Sequence, residues 1–347
     1  MNKRQRNLGN QVSFFCPNLV TFHDFWYTLI GKTVNKCKVN RRKVMASTVR
    51  ERILQLKKEK NAVILAHYYV ADEVQEIADY VGDSFFLSKK AKESEASVIV
   101  LCGVSFMGES AKILNPDKLV LLPDMNADCA MAHMVDLENI EKVRKQYEDV
   151  AVVCYINSTA EIKRCADVCV TSSNAVKIVK ALPNKNIYFI PDGNLGRYVA
   201  EQVPEKNVIL NNGFCPVHHA FTIEEVRAAK MIHPTAKFLV HPECVKELLD
   251  EADYIGSTSG IIKYVESSQD TEFIIGTEIG VLYELKNNNP DKKFYTLNDN
   301  QICHDMKYIT LEKILEVLTK ETNQVQMEET CRAEAMKSLE RMLELAK

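Results

Sequence analysis

From residue 60 onward the chain alternates two kinds of segment: apolar runs of four to six residues, and amphipathic stretches of ten or more. Apolar runs without polar alternation suit strands buried on both faces, and the stretches between them suit helices that cover those faces. The pattern therefore predicts repeated βα units on parallel sheets. Helical period also begins at Thr48–Leu56 and returns over Leu311–Leu318 and Glu328–Leu345, which predicts a helical cap at the C-terminal end.

The units recur three times. The runs Ala62–Ala66, Ala151–Cys154 and Phe238–Val240 end on the polar clusters His67-Tyr68-Tyr69, Tyr155-Ile156-Asn157 and His241-Pro242-Glu243, whose first members are 88 and 86 residues apart. Seventeen residues after each first member stands a hydroxyl, Ser84, Ser172 or Thr258, preceded by the aligned strings Ala78-Asp79, Ala166-Asp167 and Ala252-Asp253. A further strand run follows in each copy (Val98–Leu101, Ile187–Ile190, Phe273–Ile275), then a glycine expected at a helix start (Gly108, Gly196, Gly280). Each copy closes on a cysteine, Cys129, Cys215 or Cys303, at intervals of 86 and 88 residues.

Three copies in one register predict an α/β protein of three homologous small parallel-sheet domains around a pseudo-threefold axis. The expected divisions are residues 46–138, 139–233 and 234–310, with a helical segment over 311–347. Ligands of open α/β sheets bind beyond the carboxyl ends of the strands, so one shared site at the centre of the three domains is expected.

Composition alters this picture little, since 347 residues with 46% hydrophobic and 26% charged side chains are ordinary for a globular chain of two or three domains. The net charge of −3 hides an asymmetry: residues 1–45 carry nine Lys/Arg and one acid, leaving 35 basic against 46 acidic residues in the rest. An acidic body argues against a nucleic-acid partner. The basic segment admits three readings: a start assigned too early with the true start at Met45, a disordered arm, or a transit peptide. No apolar run reaches the about 18 residues of a membrane span. Eleven cysteines without a secretory signal read as thiols or metal ligands of a reducing compartment, and the cytoplasm is the expected location.

A threefold arrangement would bring Cys129, Cys215 and Cys303 to one point. Three thiolates suit a cubane iron–sulfur cluster with one iron left without a protein ligand. Zinc is less apt, because structural zinc usually takes four ligands and none of these cysteines lies in a CxxC pair. Buried core thiols are the plain alternative. Cys102, Cys154, Cys165, Cys169 and Cys244 read as residues of helix or strand interiors, and Cys16, Cys37 and Cys331 as parts of terminal segments; these eight are taken as non-ligands. His67, Tyr69, Tyr155, Asn157, His241 and Glu243 crowd the strand ends. With Ser84, Ser172 and Thr258 they are either satisfied polar groups and helix N-caps, or a converging set that presents donors to carboxylate or phosphate.

The strings Ala66–Tyr69, Gly103–Leu114, Ala127–Cys129, Thr171–Ala175, Gly213–His218, His241–Glu243 and Gly256–Ser259 together resemble the quinolinate synthase family, over roughly residues 52–318. The resemblance implies an iron–sulfur enzyme of NAD biosynthesis that condenses iminoaspartate with dihydroxyacetone phosphate to quinolinate, with loss of phosphate and water. It implies one 4Fe-4S cluster held by Cys129, Cys215 and Cys303, with one open iron. It assigns substrate binding to His67, Ser84, Tyr155, Asn157, Ser172, His241, Glu243 and Thr258, and catalysis to Tyr69, Glu243 and His218. The implied partners are those two small molecules, with functional coupling to L-aspartate oxidase, and neither nucleic acid nor membrane. Two departures stand out: some members of the family end in a CxxCxxC cluster where this chain has only Cys303 followed by His304, and Cys129-Ala130-Met131-Ala132 replaces a more common Cys-Ser-Leu. The alternative from another class is a non-enzymatic iron–sulfur redox or sensor protein, which has no use for so many converging acid–base and hydroxyl groups.

Overall fold

The computed structural model describes residues 48–347, and the basic segment on which the three readings differ lies outside the described residues. Strands β1 (Ala62–His67), β2 (Tyr80–Gly82), β3 (Val98–Cys102) and β4 (Leu119–Leu121) form a first sheet in the order β2-β1-β3-β4. Strands β5 (Val150–Tyr155), β6 (Val168–Val170), β7 (Asn186–Ile190) and β8 (Asn207–Leu210) form a second, ordered β6-β5-β7-β8. Strands β9 (Lys237–Val240), β10 (Tyr254–Ile255), β11 (Glu272–Gly276) and β12 (Lys293–Thr296) form a third, ordered β10-β9-β11-β12. Every pairing in the three sheets is parallel. Three small parallel-sheet α/β units with one strand order are what the threefold register predicts.

The aligned Ala-Asp strings have a local structural cause. Asp79, Asp167 and Asp253 each accept, through Oδ2, the backbone N–H of the residue fifteen positions earlier: Ile64 at 2.9 Å, Val152 at 2.7 Å and Phe238 at 2.9 Å. Each returns its own N–H to that residue's carbonyl, at 2.9, 3.0 and 2.9 Å. The repeated aspartate thus staples the start of the first strand in every unit. This leaves the opposite, carboxyl end of that strand to carry the polar cluster.

Gly108 and Gly196 lie inside the helices Ser105–Leu114 and Gly193–Gln202 rather than at helix starts, whereas Gly280 is the N-cap of Val281–Asn288. The reason is packing: a Cβ on Gly108 would stand 2.9 Å from Leu122, and one on Gly196 would stand 2.8 Å from Leu210. Cys165 and Cys244 are also corrected, since they occupy turns beside short helices rather than element interiors.

The first two units share one continuous core, which includes Ile64, Val100, Val153, Phe189, Leu318 and Leu339. The C-terminal pattern forms the helices Leu311–Lys320 and Glu329–Leu345, and the longer one packs against β6 and against the helices Ala160–Lys163 and Ser105–Leu114. It thereby ties the first unit to the second. The third sheet buries alternate residues on its two faces, with Phe238, Val240 and Ile274 on one side and Leu239, Phe273 and Ile275 on the other. Among the described residues no helix is long and apolar enough to cross a membrane.

Candidate active site

His67 and Tyr155 are the last residues of β1 and β5, and His241 directly follows β9, so the three polar clusters occupy equivalent strand ends. One cavity, with about 720 Å³ of empty space in part continuous with solvent, is lined from all three units. His67, Tyr69, Ser84 and Cys129 come from the first unit. Tyr155, Asn157, Ser172, Cys215 and His218 come from the second, and His241, Glu243, Thr258 and Cys303 from the third. Every residue that the sequence nominated for binding, catalysis or ligation therefore lines this one space.

The three hydroxyls are not helix caps. Asp83 and Ser257 fill the N-cap positions before Ser84 and Thr258, and Asn174 fills the one after Ser172. Ser84, Ser172 and Thr258 are left to face the cavity. Asn157 does so with a buried Oδ1 that has no hydrogen-bond partner within the protein, as expected of a group that meets a ligand donor.

His67 and His241 are oriented alike. The Nδ1 of His67 accepts the N–H of Tyr69 at 3.2 Å, and the Nδ1 of His241 accepts the N–H of Glu243 at 3.3 Å. The remaining proton of each neutral ring therefore sits on Nε2. In His241 that nitrogen is 3.3 Å from Ser172 Oγ. Burial lowers both rings, to about 4 for His67 and about 3 for His241, so both are neutral donors near pH 7.

Glu243 is 3% exposed and has two donors aimed at it: Tyr155 Oη at 2.6 Å from Oε1 and His218 Nδ1 at 2.7 Å from Oε2. Burial works against its ionisation. The neighbouring His241 and His218, with the hydrogen bonds from His218 and Tyr155, outweigh burial and hold the carboxyl down at about 2. Tyr69 and Tyr155 are pushed well above the ordinary tyrosine value, first by burial and then by Glu243, so both phenols keep their protons.

Each of the three cysteines sits at the start of a helical turn: Cys129 before Ala130–His133, Cys215 before Pro216–His219, and Cys303 just ahead of Asp305–Tyr308. Burial raises all three thiols, Cys303 to about 11, while the backbone N–H of the residue three positions on pulls each back: Ala132, His218 and Met306 respectively. Three soft sulfurs, each with an N–H already turned toward it and a cost of ionisation that a cation would remove, fit an iron–sulfur cluster.

Among the described residues the ligand-type atoms that lie within 4.8 Å of one another are those of Cys215, His218 and Glu243. Sulfurs around one zinc at bonds of about 2.3 Å would all sit closer than that, and Cys129, Cys215 and Cys303 do not form such a group. The tight trio is a hydrogen-bonded set, because His218 Nδ1 faces both Glu243 Oε2 at 2.7 Å and Cys215 Sγ at 3.2 Å. Three other cysteines among the described residues stand elsewhere: Cys102 ends β3 fully buried, and Cys154 and Cys169 are paired neighbours on β5 and β6.

Sequence reasoning missed Glu278, a fully buried carboxylate in the cavity wall. Its Oε1 accepts the N–H of Cys303 at 3.1 Å and pairs with Lys307 Nζ at 2.9 Å. A signal existed, since Asp192 holds the equivalent place 86 residues earlier. Asp83 was missed as well; it accepts from Ser259 Oγ at 2.6 Å and so joins the first unit to the third.

Residues 51–344 match the family described as quinolinate synthetase A protein. A quinolinate synthase of Caldicellulosiruptor bescii is 53% identical over 297 residues, covering 86% of this chain and 98% of its own length. Those of Clostridioides difficile and Fusobacterium nucleatum are each 52% identical, over 85% and 86% of this chain and 97% and 99% of their own lengths.

Proposed function

The chain belongs to the quinolinate synthetase A family, and from that premise we propose that the central cavity is where iminoaspartate and dihydroxyacetone phosphate condense to quinolinate, with loss of phosphate and water. It is an enzyme of NAD biosynthesis, and a non-enzymatic redox or sensor protein is not favoured. The observation that carries the site assignment is the convergence of strand-end polar groups and three cysteines from three repeats on one cavity.

Cys129, Cys215 and Cys303 would hold one 4Fe-4S cluster with one iron open. When bound, such a cluster supplies a Lewis acid that polarises a substrate hydroxyl or carboxylate and eases loss of water. The protein's own groups account for binding and proton handling. The Nε2–H groups of His67 and His241 and the hydroxyls of Ser84, Ser172 and Thr258 supply donors for carboxylate and phosphate oxygens, while Asn157 Oδ1 offers an acceptor to a substrate N–H or O–H. Glu243, ionised and buried, is the base; Tyr69, kept protonated, is the acid, with His218 between them. Ring closure with successive dehydrations needs both a proton donor and a proton acceptor at one substrate.

The free cysteines favour a reducing compartment, and the cytoplasm is the location we propose. An imine hydrolyses readily in water, which favours a supplying L-aspartate oxidase acting close by. Anaerobic reconstitution, followed by iron, sulfide and quinolinate analysis on one sample, tests the whole reading. The expected result is about four iron and four sulfide per chain together with product. A loaded chain that makes no quinolinate would refute the activity, and turnover without iron would refute the cluster.

A further inference from the structure

The short helices Asp72–Gln75, Ala160–Lys163 and Lys246–Leu249 hold the same place in the three units. Each ends eight residues after its polar cluster begins, on Gln75, Lys163 or Leu249. Two of these end residues make the same bonds. Gln75 Nε2 donates to the carbonyl of Val70 at 3.1 Å in its own unit and to that of Gly280 at 3.1 Å in the third. Lys163 Nζ donates to the carbonyl of Ser158 at 2.5 Å in its own unit and to that of Phe106 at 3.3 Å in the first. Val70 and Ser158 both stand three residues after the start of a cluster, and Gly280 and Phe106 both stand thirty-nine after it. The clasp therefore joins equivalent atoms twice. In the third unit the position holds Leu249, packed in the core with Phe238 and Val240, so the short helix itself does not require a donor there.

Lys163 and Ser158 are fully buried, and burying an ammonium is unfavourable unless its N–H groups find acceptors. The two carbonyls supply them, with the Phe106 ring centroid 5.4 Å from Nζ. The turn that follows β5 closes on itself through Ser158 N–H to Ile156 O at 2.8 Å and Ser158 Oγ to Tyr155 O at 2.9 Å. Lys163 takes the remaining polar group of Ser158, its carbonyl, and so restricts the turn to one arrangement. Asn157 lies inside that turn, and its Oδ1 is the acceptor left open in the cavity. At the other end of the short helix, Glu109 Oε2 accepts the N–H of Ala160 at 2.8 Å. Phe106 and Glu109 share the helix Ser105–Leu114, so both ends of the short helix are tied to one element of the first unit.

We propose that Lys163 is a positioning residue for substrate binding: its buried Nζ ties the turn that carries Asn157 to the first unit and so sets where the Asn157 Oδ1 meets a substrate N–H or O–H. The inference rests on the functional reading above. It involves none of the three cavity cysteines and none of the groups assigned to proton transfer.

Two substitutions test it: Lys163→Met keeps the shape and loses the donor, and Lys163→Gln brings in the amide that serves at Gln75. In cluster-loaded chains assayed anaerobically, Lys163→Met should raise KM for one of the two substrates at least about tenfold and leave kcat within about threefold, as expected when binding is lost equally from ground state and transition state. Lys163→Gln should return KM to within about threefold of the unsubstituted chain, because its N–H groups can still reach a carbonyl. Asn157→Ala should raise the same KM, and adding Lys163→Met to it should change KM less than about twofold, since two substitutions that act through one contact are not additive. Hydrogen exchange over residues 155–163 should be faster in the Met variant than in the unsubstituted and Gln chains. Unchanged KM in the Met variant, equal impairment of Met and Gln, additivity with Asn157→Ala, a fall in kcat at constant KM, or a Met variant that does not fold would each overturn the inference. Absence of product from the unsubstituted chain would refute the functional reading alone, and hydrogen exchange would then decide the Lys163 clasp.

Discussion

Glutamine at position 243 would keep the size of the side chain and remove its charge. The structure shows what that costs, since Oε1 and Oε2 each face a donor, Tyr155 Oη at 2.6 Å and His218 Nδ1 at 2.7 Å. A glutamine has one acceptor oxygen and one NH2, so one of those donors must confront another donor. A hydrogen bond to a charged group is worth about 1.5–3 kcal/mol, and that sets the size of the local disturbance. Loss of the base itself weighs more, because a general acid–base group supplies about 10²–10⁴-fold, equivalent to about 2.7–5.4 kcal/mol of barrier. Glu243→Gln should therefore lower kcat by about 10²-fold or more while iron content and substrate affinity stay near those of the unsubstituted chain. The assay is anaerobic quinolinate formation by chromatography, with iron measured on the same sample. Turnover within a few-fold of the unsubstituted chain would remove Glu243 from the chemistry. Iron loss in step with activity would move its role to support of Cys215.

Two further outcomes follow from other parts of the fold. Serine at Cys129, Cys215 or Cys303 should abolish the intact cluster, whereas Cys102→Ser, at a buried strand end outside the cavity wall, should leave anaerobic iron per chain nearly full; an empty site in Cys102→Ser would refute the three-ligand assignment. Asp253 titrates below its ordinary value: burial pushes it up, but the Phe238 N–H and Lys237 outweigh burial. Its stabilising contribution is then present above about pH 4 and lost as pH falls through the lowered folded-state value. Asp253→Asn should lower Tm at neutral pH and match the unsubstituted chain in strong acid, and a gap that stays constant with pH would contradict the staple.

The repeat was legible because burial on both faces leaves parallel strands as unbroken apolar runs, and because the same end of each strand returned at near-equal intervals. The cysteines were legible for the same reason, since their interval reports a shared structural position. Lys163 was not, because its partner Phe106 is 57 residues away and no local pattern announces such a contact. Gly108 and Gly196 were misplaced by a turn because closeness of a helix to Leu122 or Leu210 is a property of packing, and the string records only that a side chain is absent. Cys165 and Cys244 were misread because short helices of four residues, Ala160–Lys163 and Lys246–Leu249, leave turns where a longer period was assumed.

The threefold register also explains why one repeated scaffold yields an asymmetric site. Position one of the cluster is His67, Tyr155 or His241, and position three is Tyr69, Asn157 or Glu243. In the first and third units the backbone N–H at position three binds the histidine Nδ1 at 3.2 and 3.3 Å, which turns Nε2–H outward. In the second unit the ring is a phenol, and its hydroxyl crosses to Glu243 at 2.6 Å instead. Equivalent backbone positions thus deliver two imidazole donors, one phenol, one amide, one carboxylate and a second phenol to a common space. A substrate that must be held by its carboxylates while protons are added on one side and removed on the other needs unlike groups at fixed mutual distances. Three copies of one rigid unit provide the fixed distances, and divergence at two positions per copy provides the unlike groups.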